Sequence, residues 1–515
     1  VPVSASCEAT ECPPGTALQA IAPPNFDSGT CTASVDCACV ELPPLTAGSI
    51  GRHLTADADR GNLSFLAAYN STYGDLMFGQ AGADGVISWE YLLGVPETGT
   101  ISGSINGPRG GRAAAGPDAG LWPSLRVGID GQILLAFHWR SGAPDDASGL
   151  WMGVGTPADG KVEWSFFPVY TEVPSAGQWT ELLLDASGLP LLVFGVPGVR
   201  DGESRTWSDE VWMVRADTPR PTASSDFRDP VLLDRVLRTT PCANACPDRT
   251  VCRLDVQDCQ PTQRAAACDP ACGAGQACFA GEDGGPRTCA DVFEAPALTF
   301  FAPSAGQFLA ATLSDDGRLW VASYDGQDTD LRLVTHTLGT EDFAVRVLDG
   351  SRLEEGARVD TGNVGLHPDI HVSATGDLTV VYYDADRGRL LVYEQAASEE
   401  QGTVSVLDDG FRCFTRDGAN CTRSLVARVG GDPCLVVSES GQLSVAFQDG
   451  TQHDVVLIQR RESGWDGTFR TLLEGADGFG FYTAMAQDRT GLLFATQRIR
   501  VPGEDTPRDV VIVRP

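Results

Sequence analysis

Residues 363–394 read NVGLHPDIHVSATGDLTVVYYDADRGRLLVYE. Three short β-patterned runs stand in this stretch, at 370–373, 378–383 and 390–393, and the turn signals Ala-Thr-Gly-Asp and Asp-Ala-Asp-Arg-Gly separate them. Variants of it recur along the chain. Seven stretches place a turn before a strand of the form G-x-L-x-V-A-aromatic: GNLSFLAAY from Gly61, GQILLAF from Gly131, GLPLLVF from Gly188, GRLWVASY from Gly317, GDLTVVYY from Gly376, GQLSVAF from Gly441 and the degenerate GLLFATQ from Gly491. Successive glycines lie 70, 57, 129, 59, 65 and 50 residues apart, and the one long interval contains a cysteine-rich block, 242–289. A short apolar strand precedes each glycine. A third strand follows it, and in several periods a fourth, as in DLMFGQ from 75 and VISWEYLL from 86.

Four antiparallel strands per period, seven times over, describe the blades of a β-propeller. The last period ends after its third strand, while a β-capable segment at 40–45 precedes the first. If that early segment supplies the missing outer strand, the ring closes and leaves no open edge. The expected fold is therefore all-β: a seven-bladed propeller closed by an N-terminal strand, with a disulfide-rich insertion. The expected organisation is a cysteine-rich segment at 1–39, the closing strand and blades 1–3 at 40–241, the insertion at 242–290, and blades 4–7 at 291–515.

Composition agrees with this reading. Of the 515 residues 42% are hydrophobic and 21% charged, enough for a sizeable core, and 58 glycines with 32 prolines favour many turns. No run of eighteen apolar residues could span a membrane as a helix. A formal net charge of −32 repels phosphate backbones, which argues against nucleic acid as a partner. The 16 cysteines fall in clusters, and such density needs an oxidising compartment if the thiols pair, so the expected location is secreted or at the extracellular surface. No positively charged and apolar leader precedes Val1, and the expectation is that a signal peptide has been removed.

The stretches WPSLRVGIDGQILLAFHW and HPDIHVSATGDLTVVYYD resemble the repeats of sialidase-like propellers, in which a Pro-initiated inner strand, an acidic turn and an aromatic-ended second strand follow one another. The resemblance covers 50–515 apart from the insertion and implies architecture only. The sialidase Asp-box, S-x-D-x-G-x-x-W, is approached at Ser314, Asp316, Gly317 and Trp320, but the residue between Asp and Gly is missing, and no Phe-Arg-Ile-Pro motif occurs. Sialidase activity is not implied. In the insertion, Cys242, Cys246, Cys252 and Cys259 repeat the C-x3-C-x5-C pattern of Cys268, Cys272, Cys278 and Cys289. These units resemble small EGF-like or knottin-like modules of bacterial surface proteins, and their eight cysteines are expected to form four bridges. Zinc is the competing reading, disfavoured because no histidine lies in the block and the spacing is not paired C-x2-C. Cys413 and Cys421 are expected to close a local loop, and Cys434 to bridge to the N-terminal segment, which holds Cys7, Cys12, Cys31, Cys37 and Cys39.

Propeller ligands sit where inner strands converge on the channel mouth. The residues entering the expected inner strands are His53, Trp122, Trp179, Phe308, His367 and Tyr482, with Arg52 and Asp369 beside them. Aromatic rings there would stack on sugar faces while the histidines, Arg52 and Asp369 supply polar contacts; the plainer reading is that the rings plug and pack the mouth. His367 and His371 lie too far apart along a strand for easy shared coordination of a metal. Asp57 with Asp59, and Asp384 with Asp386, share D-x-D-x-G, and Asp325, Asp328 and Asp330 cluster similarly; these are calcium candidates that would equally serve as hairpin turns. No G-x-S-x-G elbow, H-E-x-x-H helix or P-loop is present. The expected function is a binding or structural surface protein with carbohydrate or protein partners, and the alternative is a glycosidase or polysaccharide lyase working at the channel mouth.

Overall fold

The computed structural model describes 16–20, 25–27, 32–34 and 37–41, and then 48–514 except for 60–62, 83–84, 94–117, 141–146, 159, 201–205, 240–249, 254–257, 262–267, 269, 273–275, 280–286, 294–304, 342, 355–356, 418–419, 439, 462–463, 466–468, 476, 490 and 500–508. Within these residues the chain is built almost wholly of strands, and seven antiparallel sheets follow one another in sequence. Blade 1 runs Arg52–Ala58, Ser64–Asn70, Asp75–Ala81, Ile87–Leu93; blade 2 runs Asp118–Val127, Ile133–Arg140, Gly149–Ala158, Lys161–Tyr170. Blade 3 takes Gln178–Leu184, Pro190–Arg200, Thr206–Arg215 and Val231–Thr239. Blade 4 takes Gln307–Leu313, Arg318–Asp325, Asp330–Thr337 and Phe343–Asp349, and blade 5 takes Val364–Val372, Leu378–Asp384, Arg389–Gln395 and Thr403–Asp408. In blade 6 the strands Val429–Val437, Leu443–Asp449 and Asp454–Arg461 are followed by two short pieces, Gly464–Trp465 and Arg470–Leu473, both paired with the third strand. Blade 7 consists of Gly478–Asp488, Gly491–Ile499 and Asp509–Val513.

The recurring G-x-L-x-V-A-aromatic stretch is the second strand of each blade, and its continuous apolar run has a simple cause. That strand is covered on both faces by the neighbouring blades, so it does not alternate. Ser64–Asn70 is buried at every position, and in Leu378–Asp384 only Tyr383 is partly open. The core is a set of clusters between blades, for example Val381, Leu390 and Val392 of blade 5 against Val429, Val445 and Phe447 of blade 6. Each fully buried Val, Leu or Phe contributes roughly 1.5–3 kcal/mol relative to exposure.

Blades are also keyed together by backbone. The tight turn after the second strand ends in a left-handed residue whose carbonyl accepts the first inner-strand N–H of the next blade: Ala119 to Gly74 at 3.0 Å, Val364 to Thr329 at 3.1 Å, Val429 to Gly388 at 2.9 Å and Phe479 to His453 at 3.0 Å. Between blades 7 and 1 the joint is made by side chains. Gln497 Nε2 donates to the Ile50 carbonyl at 2.8 Å, and Asp488 receives Ser64 Oγ at 3.1 Å and Arg514 Nη1 at 2.7 Å. The fourth strand expected from 40–45 is not seen in blade 7. Cys37–Glu41 instead pairs with Thr16–Ala20, 42–47 lie outside the described residues, and among the described residues blade 7 has three strands.

Insertions occupy three successive links between blades: the cysteine-rich unit between blades 3 and 4, the hairpin Arg352–Glu354 with Ala357–Val359 between blades 4 and 5, and the hairpin Phe411–Asp417 with Asn420–Val426 between blades 5 and 6. Cys268 bonds Cys278 and Cys272 bonds Cys289, while Cys413 bonds Cys421 as the sequence suggests. The sulfurs of Cys268, Cys272 and Cys278 lie close enough for a metal, but two disulfides consume them, which removes the zinc reading of this half. Cys242 and Cys246, and the side chains of Cys252 and Cys259, lie outside the described residues. Cys434 does not bridge to the N-terminal segment: it is a free thiol on the inner strand of blade 6. Its strand lines the central cavity.

Candidate functional site

Each inner strand carries the same distortion. Two residues after a glycine with positive φ, a non-glycine residue also takes left-handed geometry: His53 (φ 54), Trp122 (48), Trp179 (48), Phe308 (49), His367 (48), Asp432 (41) and Tyr482 (47). A left-handed non-glycine residue costs roughly 1–2 kcal/mol, so one at the equivalent place in all seven blades is a built feature of the ring. The strand register slips at each of these points, as between Arg52 and Thr55 or between Leu366 and Asp369. In this way a side chain that would lie flat against a neighbouring blade is turned towards the axis.

The seven side chains form a closed collar. His53 meets Trp122 at 5.1 Å between ring centroids, Trp122 meets Trp179 at 5.3 Å, Trp179 meets Phe308 at 6.1 Å, and Phe308 lies against His367 at 3.9 Å. His367 Nδ1 then pairs with Asp432 Oδ1 at 2.7 Å, Asp432 Oδ2 accepts the Tyr482 N–H at 3.0 Å, and Tyr482 returns to His53 at 5.1 Å. All seven residues are half-buried. Six of them are the residues named from the sequence at the inner-strand entrances; the seventh, Asp432, is not among them, because its type hides it among turn residues although Gly430-Gly431-Asp432 keeps the glycine-x-collar spacing.

Behind the collar a cavity of about 620 Å³ extends along the inner strands as far as Leu184 and Leu313. Most of its polar groups come from two and four residues beyond the collar position: Thr55, Ser124, Glu181, Asp369 and Cys434 at the first offset, Arg126 and Thr312 at the second; Thr483 adds one directly after Tyr482. Sequence reading selects Asp369 at this offset but not Glu181, Arg126 or Cys434, and the spacing could have found them.

These groups are unequal. Asp369 is committed to structure, since one carboxylate oxygen accepts the Ile370 N–H at 2.8 Å and the other accepts the Leu435 N–H of blade 6 at 2.6 Å. Glu181 makes only long contacts, to Ser124 Oγ at 3.5 Å and Arg126 Nη2 at 3.8 Å, both through Oε2. Burial raises its carboxyl to about 7, against the opposing pull of Arg126, and the Asp369 charge pushes it further up. Burial likewise raises Asp369 to about 6. Asp432 is held below the ordinary carboxylate value by His367, despite its burial. His53 falls to about 3 through burial and then the neighbouring Arg52, so it is neutral at any physiological pH. Burial also lifts the Cys434 thiol well above its usual value, with Asp369 adding to it. Two collar atoms, His53 Nε2 and Trp122 Nε1, are buried with no hydrogen-bond partner in the protein.

The remaining candidates are placed elsewhere. Arg52 is exposed beside the collar and does not line the cavity. His371 is a strand residue opposite Thr379. The calcium candidates are not gathered into one site. Asp57 accepts the Ala58 and Val127 N–H groups at 2.9 and 2.8 Å, and Asp59 accepts that of Leu63 at 3.2 Å. Asp384 takes the Arg387 N–H and the Arg389 guanidinium, at 3.0 and 2.9 Å, and Asp386 accepts the Asn363 N–H at 2.9 Å. Asp325 caps its own turn through the Gln327 and Asp328 N–H groups, at 2.9 and 3.1 Å. Each is spent on a turn or on the joint between blades, the hairpin role that Asp residues fill without an ion.

No family model and no curated protein matches the chain. Solved structures do. An α-L-arabinanase of Penicillium chrysogenum is 12% identical over 76% of this chain and 93% of its own, with a TM-score of 0.40. An α-L-arabinofuranosidase of Fusarium graminearum is 11% identical over 76% and 92%, with a TM-score of 0.38. The polysaccharide lyase Uly1 is 8% identical over 89% and 88%, with a TM-score of 0.42. At such identity the likeness is one of fold alone.

Proposed function

We propose that this propeller is an exported carbohydrate-binding protein whose ligand seats on the collar and reaches into the channel. The observation that carries the reading is the collar itself: seven blades each spend backbone strain to turn one side chain inward, and six of the seven are aromatic rings or imidazoles. Packing a channel needs no such expense, because leucine or valine on a regular strand fills it. The partly open rings of Phe308 and Tyr482, with Trp122 and Trp179 beside them in the collar, offer stacking surface to the apolar faces of sugar rings, while Glu181, Arg126 and the His367–Asp432 pair offer hydrogen bonds to hydroxyls. The disulfides, which form in an oxidising compartment, support export.

A glycan array followed by calorimetry on any hit tests the reading. Trp179→Ala is expected to weaken a bound glycan by roughly 10- to 100-fold in a variant that stays folded at the assay temperature, although the lost packing against the core between blades 3 and 4 lowers its melting temperature. Unaltered affinity in Trp179→Ala and Trp122→Ala would place the ligand away from the collar.

One observation favours catalysis as a second reading. Glu181 carries its proton close to neutral pH and has Oε1 without a protein partner, so it is suited to donate that proton to a leaving oxygen, with His367, oriented by Asp432, as a base on the other side of the cavity. Product analysis on a bound glycan decides this. Glu181→Gln is expected to cut any turnover by 100-fold or more with binding retained, and intact glycan after prolonged incubation with wild type would remove the reading.

A further inference from the structure

The collar and the cavity behind it also bear on the charge of the ligand, an inference that rests on the channel being the binding site. We infer that the site prefers a glycan bearing a cationic amino group over its neutral counterpart. Two features lead there independently. The collar brings the rings of Trp122, Trp179, Phe308 and Tyr482 together, with Phe308 and Tyr482 lining the cavity, and the negative faces of such rings attract an ammonium group. Behind it the cavity is acidic: Glu181, Asp369 and Asp432 face it, against a single guanidinium, Arg126.

That guanidinium offsets only one of the three. Arg126 Nη1 donates to its own strand's Leu125 carbonyl at 2.7 Å, and Nη2 stands 3.8 Å from Glu181. The other groups facing Glu181 and the collar are the hydroxyl of Ser124, the Cys434 thiol, neutral His53 with exposed Arg52 behind it, and His367, whose imidazole is tied to Asp432. Asp369 has both oxygens filled by backbone N–H groups, so its charge is felt but its lone pairs are taken. Glu181 Oε1 is left as the acceptor for a donor on the ligand. A cation resting there replaces the poor Arg126 contact with a direct one. His53, which lines the cavity, has an Nε2 without a partner in the protein, and a ligand hydroxyl is a natural one for it.

The test uses the whole chain and two oligosaccharides of equal length: a trimethylammonium-substituted glucosamine oligomer, whose charge does not change with pH, and the N-acetylated oligomer. Calorimetry at pH 7.5 and low salt is expected to show the quaternary oligomer bound about tenfold more tightly. That preference should shrink severalfold at pH 5.5, where Glu181 is protonated, and at 0.5 M salt. Glu181→Gln, an isosteric change, should remove most of the preference, read as the ratio of the two affinities in the same variant. Equal affinity of the two oligomers, or tighter binding of the neutral one, overturns the inference and leaves the channel reading standing. Binding of neither overturns both.

Discussion

Replacing Gly365 with alanine is expected to destabilise the propeller by about 2–5 kcal/mol, enough to lower the melting temperature by several degrees. Gly365 precedes the blade 5 collar residue by two positions and has φ 96. A Cβ placed there would stand 2.7 Å from the Leu331 Cα and 2.8 Å from the Leu331 N–H nitrogen of blade 4. Neither atom can move without shifting a strand, because Leu331 is fully buried and Val364 is hydrogen-bonded to the Thr329 carbonyl. Two costs therefore add: left-handed backbone for alanine, roughly 1–2 kcal/mol, and backbone overpacking, roughly 1–3 kcal/mol. Gly317 separates them. Its φ is 80, yet a Cβ there meets nothing within 4 Å, so Gly317→Ala should cost only the backbone part. Differential scanning calorimetry of the two variants checks the claim, and equal losses would show that the contact with blade 4 is not tight.

The second large effect is one of pH. Glu181 titrates near 7 in the folded chain instead of 4.5, so the folded state holds a proton that the unfolded state has lost. Between those values stability falls as pH rises: the contribution is fully present below about pH 4.5 and is lost as pH climbs through about 7. Its size is on the order of 2–3 kcal/mol. Wild type alone will not show this cleanly, because His53, lowered to about 3, acts in the opposite sense as pH falls from 6.5. The difference between wild type and Glu181→Gln isolates it. Denaturant midpoints measured from pH 4.5 to pH 8 should show the variant gaining on wild type steadily and exceeding it by 2–3 kcal/mol at pH 8. A pH-independent difference would mean that Glu181 is ionised throughout and well solvated.

The two effects concern one design. The glycine lets each inner strand press against the preceding blade, and the left-handed residue two positions on turns a side chain to the axis. The next residue but one then lies inside the channel, where a carboxyl is short of water. Collar, packing and perturbed acidity thus follow from one backbone device used seven times.

Much of this is written in the sequence. The second strands announce themselves because burial on both faces demands an unbroken apolar run, and their seven returns imply the ring. The mouth residues are legible as well, because Pro, Leu or Thr follows each of them and the type is mostly aromatic. The Cys413–Cys421 loop is short enough to read locally. Three matters belong to tertiary structure alone. Asp432 looks like any turn aspartate until the fold sets it 2.7 Å from His367. Glu181 looks like any strand glutamate until the ring encloses it with Asp369, because acidity depends on the solvent and charges brought near, which come from blades far apart in the chain. Cys434 looks like a partner for the N-terminal cysteines, but the inner strand turns its sulfur to the channel. The sequence by itself determined the seven-fold repeat, because hydrophobic periodicity is local; only closure of the ring decided which side chains share a site, because that requires strands from every blade to meet on one axis.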